Sequence, residues 1–250
     1  NDRIVVYNLS FPGVSGLKDL MLLSESVKSY NPDLMIWSFT MNTFLRTRRG
    51  FAAVYENSVN YERILDLERS SGYNFGSKKI KPGEATLVER AIYGRREELN
   101  LLLQLYLYDL KSLSIATDEP ETQVTDEFTL RPGGDRNNYL SFRPDDDLEK
   151  ILNMDLFLAA QKISGTIPIV YVNEPMYTEE NNPVRYNWVY PHWAYDQYRV
   201  MLQSMINEQS WTYVDLWNLL PPQEFTGIYH RTGEGENRMT QELIPVIQAE

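Results

Sequence analysis

The residues best suited to chemistry lie where the sequence pattern predicts that strands end. His230 is one of two histidines in the chain and follows a predicted strand at residues 211–216. An amphipathic stretch at residues 239–247 comes after it. A histidine between the carboxyl end of a strand and a closing helix is where open α/β sheets tend to keep catalytic groups. His230 is therefore a candidate general base, and the alternative is a surface loop that contains a histidine.

Three further residues each follow a predicted buried strand: Gly13, Asn42 and Glu174. Because the carboxyl ends of parallel strands share one rim of a sheet, we expect these residues to lie close to His230. A glycine N–H and an asparagine amide aimed at one point form an oxyanion hole, which stabilises negative charge on a reacting carbonyl oxygen. Structural roles are the alternatives, since Gly13 also suits a turn and Asn42 a helix cap.

Aromatic residues are dense between the third predicted strand and the helix that follows it. Rings at the rim of a sheet stack on sugar rings, or they pack one part of the chain onto another. We expect three of them to bind substrate together with Glu174: Tyr186, Trp188 and Trp193.

Predicted strands alternate with predicted helices along most of the chain. Short apolar runs bounded by turn residues indicate buried strands, and apolar residues at helical spacing indicate amphipathic helices. The strands fall at residues 3–8, 34–39, 167–172 and 211–216. The helices fall at residues 17–30, 57–70, 84–113, 148–163, 193–207 and 239–247. This alternation predicts an α/β fold with a parallel sheet covered by helices on both faces. Residues 1–250 then form a single domain, with an insertion at about residues 46–147.

The composition excludes several classes of protein and partner. The 250 residues carry a net charge of −11 at pH 7, which disfavours nucleic acid and anionic membranes as partners. The chain has no cysteine, so it forms no disulfide and no thiolate metal site. No apolar run reaches the roughly 18 residues of a membrane span. The nearest, at residues 99–110, predicts a helix that is buried against the core or a partner chain.

The strand-end residues resemble the motifs of the SGNH (GDSL-like) hydrolase family of serine esterases and acyltransferases. In that family an N-x-x-x-x-G turn supplies an oxyanion glycine, which falls on Gly13. A G-x-N-D motif supplies the oxyanion asparagine, which falls on Asn42, although Thr40 and Thr43 replace the glycine and the aspartate. A late D-x-x-H supplies the base, which falls on His230, and the residues after it also look like the family's H-x-T-x-x-G.

The resemblance covers roughly residues 3–43 and 167–247, and two family features are missing from it. The family's first block, a strand ending in Gly-Asp-Ser that carries the nucleophile, is expected upstream of this chain. The aspartate of D-x-x-H, which orients the base, is replaced by Gly227. Glu224 and Asp215 are the carboxylates considered as its substitutes.

The resemblance implies a three-layer, flavodoxin-like α/β sheet of SGNH type and an acyl-ester hydrolase or acyltransferase. The implied substrate is a small-molecule or carbohydrate ester, such as an O-acylated carbohydrate, with no cofactor and no metal. Without its nucleophile the chain is expected to be inactive, and the alternative is a non-catalytic binding or assembly module of the same fold. A homodimer would form through the insertion or by exchange of a strand. The compartment stays open, and an extracytoplasmic or cell-surface location is favoured.

Overall fold

The structure is a computed structural model, and it describes residues 5–9, 15–46, 58–75, 142–179, 182–187, 189–227 and 230–250. The chain divides into two units. The first comprises Asn1–Ser77 and Leu130–Glu250, and the second comprises Lys78–Thr129. All the described residues belong to the first unit. The helix predicted at residues 84–113 and most of the predicted insertion lie outside the described residues.

A parallel sheet of three strands lies at the centre of the described part. The strands are β1 (Met35–Phe39), β2 (Ile169–Asn173) and β3 (Tyr213–Asp215). Their spatial order is β1-β2-β3, so Tyr171 of the middle strand lies between Trp37 and Tyr213. Three of the four predicted strands are thereby confirmed, as is the parallel α/β class.

Among the described residues, six α-helices accompany these strands. They are α1 (Gly16–Tyr30), α2 (Ser58–Ser71), α3 (Leu148–Ile151), α4 (Asp155–Ser164), α5 (His192–Gln209) and α6 (Gly233–Ala249). Helix α1 ends at Asn31, whose backbone is left-handed (φ 43°), and α6 begins at Thr232, whose side chain accepts a hydrogen bond from the Gly235 N–H at 3.2 Å. These are ordinary ends for helices. None of the described helices is both long and apolar enough to cross a membrane.

The helices cover both faces of the sheet. Helices α1, α4 and α5 pack on the face that carries Phe39 and Tyr171. Helix α6 packs on the opposite face, where Met239 contacts the cluster around Val170. Ile36 lies beside Val170 in the sheet but is 47% exposed, whereas Val170 is fully buried. Among the described residues, α6 therefore packs over β2 and β3 on that face, and Ile36 of β1 stays exposed there.

The predicted first strand is wrong for those of its residues that the structure describes. Residues 5–9 form no strand, and Val6 is 81% exposed. Tyr7 instead stacks on Tyr30, with the ring centroids 4.5 Å apart. The prediction rested on hydrophobicity, but a strand also needs a neighbour for its backbone groups, and none of the three described strands pairs with this segment.

The predicted helix at residues 148–163 is wrong in its continuity, because it is divided into α3 and α4. Between them, the Asn153 N–H donates to the carbonyl oxygen of Phe44 at 2.7 Å. The Arg46 N–H donates to the carbonyl oxygen of Ile151 at 2.9 Å. The Asn153 N–H and the Ile151 carbonyl oxygen thus pair with the turn after β1, and they are not available for hydrogen bonds within a continuous helix.

Candidate functional site

A small pocket opens at the carboxyl ends of β1 and β2. Its volume is about 50 Å³, enough for a few water molecules or a small polar group. Its lining comes from the end of β1, the segment after β2 and the loop before α6: Thr40, Glu174, Pro175, Met176, Asn187, Tyr190 and Arg231. This is the rim at which the sequence predicts a site, because parallel strands bring their carboxyl ends together.

Glu174 and Arg231 form the charged wall of this pocket. The Glu174 N–H donates to the carbonyl oxygen of Phe39 at 2.9 Å, which extends the pairing of β1 with β2 by one residue. Arg231 Nη1 donates to Glu174 Oε2 at 3.3 Å, and Arg231 Nε donates to Glu236 Oε1 at 2.7 Å. The Arg231 side chain is only 14% exposed. Carboxylates therefore hold the guanidinium on two sides.

Asp19 is a half-buried carboxyl group in the first turn of α1. Burial raises its pKa from the ordinary 3.8 to about 6. The hydrogen bond that Trp37 Nε1 donates to Asp19 Oδ2 at 3.2 Å lowers this pKa, and the negative charge of Glu174 raises it. Asp19 does not line the pocket, but its charge acts on the pocket residue Glu174, and raised carboxyl pKa values are common at functional sites.

Asn42 lies in a single 3₁₀ turn, Met41–Phe44, directly after β1. The turn is closed at its start because the Thr40 N–H donates to Thr43 Oγ1 at 3.2 Å. Asn42 Oδ1 is buried and has no hydrogen-bond partner among the described residues. Gly16, at the start of α1, packs on this turn, since a β-carbon there would come within 3.0 Å of the Thr43 carbonyl oxygen. The turn therefore packs through Thr43 on the N-terminus of α1, which carries a partial positive charge.

His230 lies in a tight loop whose main chain is fixed and whose side chain is exposed. Phe225 and Arg231 pair as an antiparallel bridge, and the Thr226 N–H donates to the carbonyl oxygen of His230 at 2.9 Å. Within the described part of the chain, no residue forms a hydrogen bond or an ion pair with the His230 imidazole. It is Arg231, the next residue, that reaches Glu174 at the rim.

The two carboxylates considered as substitutes for the missing aspartate are engaged elsewhere. Glu224 is 6% exposed and forms an ion pair with Arg238 of α6. Asp215, at the end of β3, accepts a hydrogen bond from Arg199 Nη2 at 2.8 Å. Neither contact involves His230, so the described residues provide no carboxylate that orients the imidazole.

A buried polar network fixes the strand end that carries Glu174. Asn173 is fully buried, and its Nδ2 donates to Asp215 Oδ1 at 2.9 Å and to the Tyr195 hydroxyl at 3.2 Å. Its Oδ1 accepts from the Tyr198 hydroxyl at 3.4 Å. Burial raises the pKa of Tyr195 and of Tyr198 well above the ordinary value, so both hydroxyls stay protonated.

The aromatic residues expected to bind substrate pack against other parts of the protein. Tyr186 packs on the ring of His192, with centroids 4.1 Å apart. Trp193 contacts Phe142 edge to face, with centroids 6.2 Å apart. Trp188 lies outside the described residues. These contacts agree with the packing alternative, and stacking on a ligand stays a prediction.

The predicted site residues thus differ in how close they lie to the pocket. Glu174 lines the pocket, and Asn42 lies two residues after the pocket residue Thr40, while Gly13 is outside the described residues. Sequence reasoning missed Arg231 and Asp19. The only sequence signal for Arg231 is its position directly after His230. Asp19 has none, since its hydrogen-bond partner Trp37 lies on β1, outside the helix that carries Asp19.

Comparison with known proteins yields no match, either to protein-family models, to curated proteins or to solved structures. The fold, the pocket and the motifs of the chain itself are therefore the basis for its function.

Proposed function

We propose that this chain is an SGNH-like domain whose rim pocket holds an O-acyl ester. One observation carries the proposal: the strand-end segments that the sequence predicts to share one rim, two of which carry the family motifs, contribute residues to one pocket. Thr40 comes from the turn of Asn42, Glu174 from the end of β2, and Arg231 from the loop of His230. These segments are far apart in the chain and meet only because the strands run parallel.

The arrangement of strands and helices supports this assignment. A flavodoxin-like sheet has the strand order 2-1-3-4-5, so its last three strands are neighbours in chain order. Strands β1, β2 and β3 are adjacent in chain order in the same way. Residues 5–9, which the resemblance assigns to an earlier strand, form no strand and so do not add to this support.

In the proposed site, Asn42 donates its side-chain amide N–H to the carbonyl oxygen of the ester, with the Gly13 N–H as the second donor. The N-terminus of α1 packs on the turn of Asn42 and adds positive potential at the same place. His230 is the proposed general base, and the nucleophile is not assigned to any described residue.

A non-catalytic binding module is the second candidate, and the surroundings of His230 favour it. Gly227 stands where the family has its aspartate, while Glu224 and Asp215 are each paired with an arginine. Loss of the orienting carboxylate costs a factor of about 10⁴ in kcat in a serine–histidine–aspartate site. We therefore propose that the chain binds acyl esters and turns them over slowly or not at all.

Titration with glycerol triacetate, followed by NMR, tests binding and turnover in the same samples. We expect saturable binding without release of acetate above the rate in buffer. Asn42→Ala should weaken binding by about tenfold, because one hydrogen bond to the ester is lost. Asn207→Ala, which removes an exposed amide from α5, is the matched control and should bind like the unchanged protein.

Two outcomes would contradict parts of this proposal. Acetate release that His230→Ala abolishes and His192→Ala leaves intact would show that the domain is an enzyme, against the non-catalytic candidate. A protein that shows no binding of glycerol triacetate, or whose binding is unchanged by Asn42→Ala, would contradict the acyl-ester site itself.

A further inference from the structure

The rim pocket presents a hydrogen-bond acceptor and a hydrogen-bond donor side by side. Glu174 uses Oε2 to accept from Arg231, and no described residue donates to its Oε1. Arg231 uses Nη1 and Nε for Glu174 and Glu236, and among its described contacts the N–H groups of Nη2 are not used. Thr40 Oγ1 already accepts from the Tyr190 hydroxyl at 3.3 Å. Among the described residues, the pocket thus offers a ligand a carboxylate oxygen and a guanidinium N–H.

The charges around this pair determine which class of ligand it favours. Arg231 is one positive charge between two carboxylates, those of Glu174 and Glu236. Asp19, whose pKa is about 6, adds a further negative charge near Glu174 at neutral pH. An anion would have to approach these carboxylates to reach Arg231, and a cation would have to lie against Arg231 to reach Glu174. A hydroxyl group avoids both repulsions, because it donates to the carboxylate and accepts from the guanidinium.

We infer that Glu174 and Arg231 bind a hydroxyl group of a neutral ligand and set the specificity of the pocket against anions and cations. The inference rests on the proposed function, since it assigns the hydroxyl-bearing part of the ester, a carbohydrate or another polyol, to this pair. Pro175 and Met176 line the same pocket and suit the carbon skeleton of such a ligand. The pair is held in place before a ligand arrives, through the Glu174 N–H bond to β1 and the contact of Arg231 with Glu236, so binding orders few side chains.

Three probes of similar size and different charge test this inference: propane-1,2-diol, lactate and 1-amino-2-propanol. None contains an ester, so their binding is independent of acyl recognition. Each is titrated at neutral pH and constant ionic strength, and the backbone amide signals of Thr40, Glu174 and Arg231 are followed by NMR. We expect the diol to shift these signals at concentrations about tenfold lower than those needed for lactate or the aminoalcohol. Each charged probe is repelled by one member of the pair and therefore forms one charge-assisted hydrogen bond fewer.

Glu174→Gln keeps the shape of the side chain and removes its charge. We expect it to weaken binding of the diol by about tenfold, because a charge-assisted hydrogen bond becomes a neutral one. It should also strengthen binding of lactate, because Arg231 loses a neutralising partner. Glu149→Gln, on the exposed side of α3, is the matched control and should change neither.

Three outcomes overturn the inference, and a fourth overturns only the acyl-ester proposal. Lactate that binds as well as the diol would indicate an anion site at Arg231, and an aminoalcohol that binds best would indicate a cation site at Glu174. If no probe shifts these signals while glycerol triacetate binds, the pair is only a structural clasp, and the proposed acyl site is unaffected. If the diol binds and glycerol triacetate does not, the hydroxyl site stands and the acyl-ester proposal fails.

Discussion

Replacement of Asp19 by asparagine is expected to stabilise the protein at neutral pH and to have little effect in acid. The pKa of Asp19 is raised by burial from 3.8 to about 6, so the folded protein holds this proton more tightly than the unfolded chain. The free energy of unfolding therefore falls as the pH rises from about 4 to about 6, and it stays lowered above that range. This is opposite in sign to the effect of a carboxylate stabilised by an ion pair.

The magnitude follows from the size of the pKa shift. The difference between about 6 and 3.8 is about 2 units, and each unit corresponds to about 1.4 kcal/mol. The ionised carboxylate thus lowers the free energy of unfolding by up to about 3 kcal/mol at neutral pH. Asparagine keeps an acceptor for Trp37 Nε1 but brings N–H donors that need partners, so we expect a net gain of about 1–3 kcal/mol.

Urea unfolding at about pH 3.5 and at neutral pH measures this effect for the protein and for Asp19→Asn. Asp66→Asn is the control, because Asp66 forms an exposed ion pair on α2 and should change stability little at either pH. The reasoning is refuted if Asp19→Asn stabilises equally at both values, or if it destabilises the protein at neutral pH. Either result would mean that the charge of Asp19 does not lower the free energy of unfolding as proposed.

Two further predictions concern the packing around the site. Gly235→Ala should destabilise the protein by about 1–3 kcal/mol, because the new β-carbon would lie 2.9 Å from the Glu224 carbonyl oxygen. Gly233→Ala, in the same helix, meets nothing within 4 Å and should be neutral or slightly stabilising, so equal thermal unfolding of the two variants would contradict the packing argument. Asn173→Ala should cost about 2–4 kcal/mol in urea unfolding, since Asp215 and buried tyrosine hydroxyls lose a shared partner. A loss below about 0.5 kcal/mol would mean that the network contributes little.

The α/β class was predictable because each element of this fold buries one face, and burial leaves a periodic trace in the sequence. In β1, the alternating residues Met35, Trp37 and Phe39 all face the core. In α1, Leu20 and Leu23 are buried at helical spacing. Such spacing depends only on local backbone geometry, so it can be found without knowledge of the partner.

Two predictions about elements are wrong, because hydrophobic pattern does not specify backbone partners. Residues 5–9 are as apolar as a buried strand, yet none of the described strands pairs with them. The predicted helix at residues 148–163 is interrupted where Asn153 bonds to the carbonyl oxygen of Phe44, more than a hundred positions earlier in the chain. Pairing at that distance depends on how the helices pack on the sheet.

The sequence by itself determined that polar groups stand at the strand ends, with Asn42 after β1 and Glu174 after β2, since turn residues mark where a strand stops. Only the tertiary structure decided which groups share the pocket. It brings Arg231 against Glu174 and leaves the imidazole of His230 exposed. It also partly buries Asp19 and so raises its pKa. Distances and burial of this kind depend on strand register and on the packing of distant segments, which residue types and local spacing do not contain.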